Sequence, residues 1–227
     1  MKNFRANCYP KLILLSIVCL IVPLIIVMIA IYQPYVDPKQ FFLDPLSAAK
    51  SVSSEQCCSP HLGAISNLGV LMWAFSAGIC LFSAYLTYSL KFALKYSFFL
   101  LNSGIISFML MFDDMFLGHE KIYPYFFGIE EEYLMLIYGL SILGYIIFSY
   151  QVILQLDFFL LITSLFFFCL SILIDVGYSG NSPVLKPYGE DLNKLLGISF
   201  WTAFLIRSAW LICFLRMDRF RETKKLI

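Results

Sequence analysis

Leu12–Tyr32, with the sequence LILLSIVCLIVPLIIVMIAIY, contains no charged residue and is interrupted only by Pro23. About 20 predominantly apolar residues are enough for one helix to cross a bilayer. Basic residues precede this stretch, as they also precede the apolar part of a secretory signal peptide. However, the stretch is longer than the roughly 7 to 15 residues usual for such a peptide, and no A-x-A cleavage pattern follows it. We therefore predict a membrane helix that is retained in the mature protein.

The composition of the whole chain points to the same class of protein. Apolar residues make up 60% of the 227 residues, charged residues make up 14%, and the mean hydropathy is +0.82. Soluble domains contain roughly 25% charged residues, so a water-soluble fold is excluded. A formal net charge of +1 gives no reason to expect nucleic acid as a partner. The expected partner is the lipid bilayer.

Five more apolar stretches of similar length follow the first. The predicted spans are residues 12–32, 63–86, 92–116, 131–150, 156–176 and 192–215, with residues 33–62 as the longest outer loop. Where the connections are short, neighbouring helices should be antiparallel. We predict an all-α fold: an integral membrane bundle of about six transmembrane helices, formed by a single membrane domain over residues 1–227.

The distribution of basic residues predicts the orientation of this bundle. Ten of them would lie on the side that holds both termini: Lys2, Arg5, Lys11, Lys91, Lys95, Arg216, Arg219, Arg221, Lys224 and Lys225. Five would lie on the other side: Lys39, Lys50, Lys121, Lys186 and Lys194. The positive-inside rule therefore predicts that both termini are cytoplasmic. Most carboxylates and both histidines then fall on the outer side, so a polar site should open outward.

The best candidate for such a site is the segment Asp113-Asp114-Met115-Phe116-Leu117-Gly118-His119-Glu120, at the end of the third span. On an unbroken helix Asp114 and His119 would point about 140° apart and could not bind one ion together. Glycine commonly ends helices in the left-handed conformation. We therefore expect Gly118 to end this helix and to let His119 and Glu120 fold back over it.

Two adjacent aspartates near an apolar boundary are costly as bare anions, so they should be protonated, paired or metal-bound. Carboxylates with imidazole suit zinc, manganese or iron(II), and an all-oxygen set suits calcium or magnesium. The candidate catalytic and metal-binding residues are Asp113, Asp114, His119 and Glu120, to which His61, Glu190 and Asp191 could contribute. A hydrogen-bonded cluster that links helix ends, or simply solvated loop charges, are the alternatives to a divalent metal site.

Other positions carry weaker signals. Arg207 lies within the sixth span, where a charge is costly, and Asp157 at the inner end of the fifth is its expected partner. The pair could be structural or could belong to a transport pathway. Gly197 would let the sixth helix pack closely on a neighbour. Cys57 and Cys58 could form a vicinal disulfide, bridge to a partner or bind a metal.

The chain resembles a group of uncharacterised bacterial multi-pass membrane proteins, cyanobacterial ones among them. The resemblance rests on a DDxFxxHE-like segment and on several shorter features: Asp44-Pro45, Ser66-Asn67-Leu68-Gly69, Trp73, Cys80, Asp113-Asp114, His119-Glu120, Glu190-Asp191, Lys194, Gly197 and Trp201. It implies a multi-pass protein of the bacterial inner membrane and no particular activity.

Three classes of function are consistent with these residues. The first is a structural or interaction role, with a membrane-protein partner or as a homo-oligomer. The second is a membrane-embedded, metal-dependent hydrolase that acts on lipid or peptide, and the third is a transporter or cation-binding protein. No motif favours an activity, so the first class is the main prediction.

Overall fold

The computed structural model describes residues 9–43, 61–177 and 185–225, with side chains described for 11–43, 61–175 and 188–214. All regular structure within these ranges is helical. Cys57, Cys58, the Asp44-Pro45 pair and most of the predicted outer loop lie outside the described residues, and so do the side chains of the basic C-terminal residues.

Eight α-helices and one π-helix are described. The α-helices are α1 (Tyr9–Tyr32), α2 (Lys39–Phe42), α3 (Ala64–Ser89), α4 (Leu94–Phe116), α5 (Tyr123–Phe127), α6 (Glu131–Ile153), α7 (Phe158–Gly177) and α8 (Leu185–Lys225). The π-helix, Gly118–Ile122, lies between α4 and α5.

Six of these helices are long and apolar enough to cross a membrane. Their apolar segments are Lys11–Tyr32, Ala64–Ser89, Leu94–Phe116, Glu131–Ile153, Phe158–Asp175 and Tyr188–Phe214. The prediction of an all-α protein with about six transmembrane helices is confirmed. The last helix begins at Leu185, earlier than predicted, and Pro187 lies in its first turn, where a proline breaks no intrahelical hydrogen bond.

The contacts divide the chain into two compact units. The first unit consists of Met1–Gly69 and Phe159–Ala203, and the second consists of Val70–Phe158 and Phe204–Ile227. In the first unit, α8 and α7 pack closely at Gly197. A Cβ atom there would lie 2.7 Å from ring atoms of Phe168, and Ser164 Oγ donates a hydrogen bond to the Gly197 carbonyl at 2.8 Å. The close packing predicted for Gly197 is therefore confirmed.

In the second unit, α4 packs against α3 and α6 through small and hydroxyl-bearing residues. A Cβ atom on Gly104 would lie 2.7 Å from Leu81 Cγ, so the two helices approach closely at this level. Ser103 Oγ lies 2.9 Å from Tyr145 Oη, and both groups are buried. Close packing and interhelical hydrogen bonds are the forces that hold helices together in lipid.

Candidate functional site

The candidate site begins where α4 ends, in the turn that follows Asp113 and Asp114. Leu117 adopts the left-handed conformation, with φ 53° and ψ 46°, and its N–H donates to the Asp113 carbonyl. The prediction that Gly118 would take this conformation is therefore wrong, although the helix does end here. The backbone N–H groups of Lys121 and Ile122 both donate to the Leu117 carbonyl, at 2.8 and 3.3 Å. These two bonds form the first turn of the π-helix, directly after the left-handed Leu117.

Gly118 is required for a different reason, which is space. A Cβ atom on this residue would collide with Asp113 Oδ1 and would lie 3.1 Å from Cε2 of Tyr123. Without a side chain at position 118, the π-helix can fold back onto the last turn of α4. The expected return of His119 toward the helix end is confirmed.

The carboxylate of Asp113 accepts hydrogen bonds from three donors. Oδ1 accepts the backbone N–H of His119 at 2.9 Å and the hydroxyl of Tyr138 on α6 at 2.7 Å. Oδ2 accepts a hydrogen bond from Nδ1 of the same histidine. Asp113 is only 4% exposed, so these protein donors take the place of water. We call Asp113, His119 and Tyr138 the Asp113 hub.

Asp114 points to another helix. Its Oδ2 accepts a hydrogen bond from Nε1 of Trp73 on α3 at 3.0 Å, and the tryptophan is buried. Because successive residues on a helix are rotated by about 100°, the two aspartates reach different neighbours. The structure therefore does not bring Asp113 and Asp114 together as ligands of one ion.

The second ring nitrogen of His119 faces two further carboxylates. Nε2 lies 4.0 Å from Oε1 of Glu120 and 3.9 Å from Oε1 of Glu131, the first residue of α6. The imidazole is buried, whereas both glutamates are partly exposed. Among the residues that the structure describes, no three His, Cys, Asp or Glu side chains are grouped so that they could hold a metal ion. The arrangement is a buried histidine between a hydrogen-bonded aspartate and two nearby glutamates.

Comparison with known proteins identifies the family. The model of a domain of unknown function, DUF8692, matches residues 12–208, which cover most of the chain and the whole hub. The chain belongs to the DUF8692 family. No curated protein and no solved structure matches it. The six apolar helices agree with the prediction of a multi-pass membrane protein, and the family match assigns no activity.

Sequence reasoning missed three residues of this DUF8692 site. Trp73 and Tyr138 lie within apolar helices, and Glu131 is one of two glutamates in the first turn of α6, where a carboxylate is already explained by the helix dipole. The available signal was that a buried Trp N–H or Tyr O–H usually has a hydrogen-bond partner. Two such aromatic groups near helix ends could have been matched to the two aspartates.

Three of the proposed ligands lie in the first compact unit, whereas the hub lies in the second. His61 Nε2 is 2.8 Å from Oε1 of Gln40, and the carbonyl of Glu190 accepts a hydrogen bond from Ser171 Oγ at 3.1 Å. Asp191 follows in the same helix. A contribution of these residues to a shared site stays a prediction.

Arg207, within the last membrane-length helix, and Asp157, in the turn before α7, lie together. Arg207 Nε donates to Asp157 Oδ2, and the two side chains are 12% and 23% exposed. The expected partner of Arg207 is therefore present. A charge that is paired in this way costs less in an apolar environment than an isolated one.

Asp113 is buried whereas Asp114 is half-buried, and the stability of the two variants should reflect this. The Asp113→Ala variant leaves three donors without their acceptor, two of them on the buried His119, and should lower the free energy of unfolding by about 3 kcal/mol. Asp114→Ala removes the Trp73 bond and should cost about 1–2 kcal/mol. The measurement is reversible unfolding of the detergent-purified protein by titration with SDS.

Glu132→Ala is the matched control, because Glu132 is an exposed carboxylate in the first turn of α6. It should change stability by less than about 0.5 kcal/mol. Equal losses in Asp113→Ala and Glu132→Ala would contradict the hub.

Replacing one charge of the Arg207–Asp157 pair should destabilise the protein more than replacing both. Asp157→Leu alone leaves Arg207 in an apolar environment, with a loss on the order of 3 kcal/mol. The double variant Asp157→Leu, Arg207→Met should lose clearly less than the sum of the two single variants in the same unfolding assay. Additive losses would show that the two charges do not stabilise each other.

Proposed function

We propose that this DUF8692 protein has a structural or interaction role in the membrane and that the Asp113 hub serves to hold helix ends together. The observation that carries the proposal is that both carboxylate oxygens of Asp113 accept bonds from inside the protein. The donors come from the π-helix and from α6. Asp114 extends the set of connections to α3.

A catalytic carboxylate needs an oxygen within reach of substrate, of a metal or of a reacting water. Asp113 is buried and accepts three bonds, two of them from the segment that covers it. Bonds to an ionised carboxylate are about twice as strong as neutral ones. These contacts favour a carboxylate that fixes the connection between α4 and α6 over one that acts on a substrate.

A metal-dependent hydrolase is the second candidate, and one contact favours it. A metal-binding histidine usually donates its other ring N–H to a carboxylate, as His119 Nδ1 could do to Asp113. The ligands would then be His119, Glu120 and Glu131, rather than the two aspartates. The described structure does not group these three side chains as a metal site, so both glutamates would have to move toward the ring to hold a divalent ion, which would activate water for hydrolysis of a lipid or peptide.

Metal content distinguishes the two candidates. The structural proposal expects no stoichiometric metal in the detergent-purified protein by elemental mass spectrometry. The hydrolase alternative expects about one ion per chain, lost in His119→Ala and Glu131→Gln and retained in Asp114→Ala, because the aspartate lies outside the revised ligand set. A stoichiometric metal with that pattern would overturn the structural proposal.

We also propose that the protein lies in a bacterial inner membrane with both termini in the cytoplasm. The described residues contain six membrane-length helices, an even number, which would return the chain to the side on which it started. The excess of Lys and Arg on that side, counted from the sequence, supports the cytoplasmic assignment.

Reporter fusions test this orientation. Green fluorescent protein fused after Ile227 should fluoresce, and alkaline phosphatase fused at the same place should be inactive, because phosphatase needs the periplasm. The matched control is a fusion after Gln40, beyond the first span, where the phosphatase should be active. Active phosphatase at Ile227 would contradict the proposed orientation.

A further inference from the structure

The short helix α5 exposes an aromatic surface that neither the fold nor the hub uses. Its sequence is Tyr123-Pro124-Tyr125-Phe126-Phe127, and it has no buried residue. The last three side chains are 84%, 71% and 67% exposed. We call Tyr125, Phe126 and Phe127 the aromatic segment.

The chain connectivity places this segment at a membrane surface. The preceding membrane-length helix ends at Phe116 and the next begins at Glu131. The connection consists mainly of the π-helix and α5, with five residues each, and ten helical residues cover only about 15 Å, which is too short to cross a bilayer core about 30 Å thick. The connection therefore leaves and re-enters the membrane on the same side, and α5 lies at that side.

The aromatic segment is also held in place. The Tyr123 N–H donates to the Gly118 carbonyl, and the Tyr123 ring lies where a Cβ atom of Gly118 would approach it at 3.1 Å. The Gly128 N–H donates to the Pro124 carbonyl at 3.1 Å and ends the helix. The segment therefore presents its rings from a helix that is bonded to the π-helix.

Three consecutive exposed aromatic residues are costly in water and suit the headgroup region of a bilayer, where Tyr and Trp are enriched. The surface that precedes them is already apolar. Phe112, Met115 and Phe116, in the last turns of α4, are about half exposed on a membrane-length helix. An exposed apolar surface therefore comes shortly before the aromatic segment in the sequence.

We propose that the aromatic segment inserts into the interfacial region of the lipid bilayer, with phospholipid as its occupant. Exposed Lys121, just before α5, is placed to contact lipid phosphates. Because α5 is hydrogen-bonded to the π-helix, contact between the aromatic segment and lipid also restrains the segment that carries His119. The protein would then hold the π-helix from two sides, by the Asp113 carboxylate and by the membrane surface.

Photolabelling of the full chain in phosphatidylcholine and phosphatidylglycerol vesicles tests the proposal. One lipid probe carries a diazirine next to its headgroup, a second carries it at the end of an acyl chain, and a third diazirine reagent is water-soluble. Peptides that contain residues 121–130 should be labelled several-fold more by the headgroup probe than by either of the others. The α1 peptide should show the opposite preference between the two lipid probes.

Two variants complete the test. Phe126→Trp keeps an aromatic ring, and its added fluorescence should be quenched by lipids brominated near the headgroup. Replacing all three residues with serine removes no buried side chain, so the protein should still fold and should lose the headgroup labelling of this peptide. Labelling by the water-soluble reagent alone would overturn the proposal. So would protection from all three reagents, which would show that protein covers the segment.

Discussion

The hydrogen bonds to the Asp113 carboxylate hold the second compact unit together where α4 ends. A buried anion needs donors, and its own helix cannot supply them because the helix N–H groups are already bonded along the backbone. The donors come instead from His119 and Tyr138. A left-handed residue such as Leu117 costs about 1–2 kcal/mol, and a single hydrogen bond to a charged group offsets that cost. The carboxylate therefore determines the path of the chain after α4.

The membrane makes such contacts more important than they would be in water. Lipid is as apolar as leucine, so no hydrophobic force drives helices together, and association depends on close packing and on polar contacts between helices. In the second unit these contacts recur along α4. Ser97 bonds to Thr87 at 3.0 Å, Ser103 lies 2.9 Å from the Tyr145 hydroxyl, and the hub follows at the end of the helix. The hub is the charged member of a series of polar contacts.

The sequence predicts the helices well and the partners of the polar side chains poorly. The spans follow from the length and hydropathy of each segment, which are local properties. Trp73 and Tyr138 were missed because hydropathy does not show which face of an apolar helix meets which neighbour. The left-handed residue was placed on Gly118 from propensity, whereas the bonds to Asp113 place it on Leu117 and leave Gly118 to provide space. Tertiary contacts override local preference at the site, and not in the spans.

The position of His119 connects the two proposals about this region. Its backbone and one ring nitrogen are bonded to Asp113, and the other nitrogen faces Glu120 and Glu131 across 3.9 to 4.0 Å. The π-helix that carries it continues into α5, whose aromatic side chains are exposed. A residue held by an internal carboxylate and by an adjoining surface segment keeps its ring in one orientation whether or not any ion is bound. Such preorganisation is needed by a metal site and equally by a rigid helix connection, so the geometry of His119 alone does not imply catalysis.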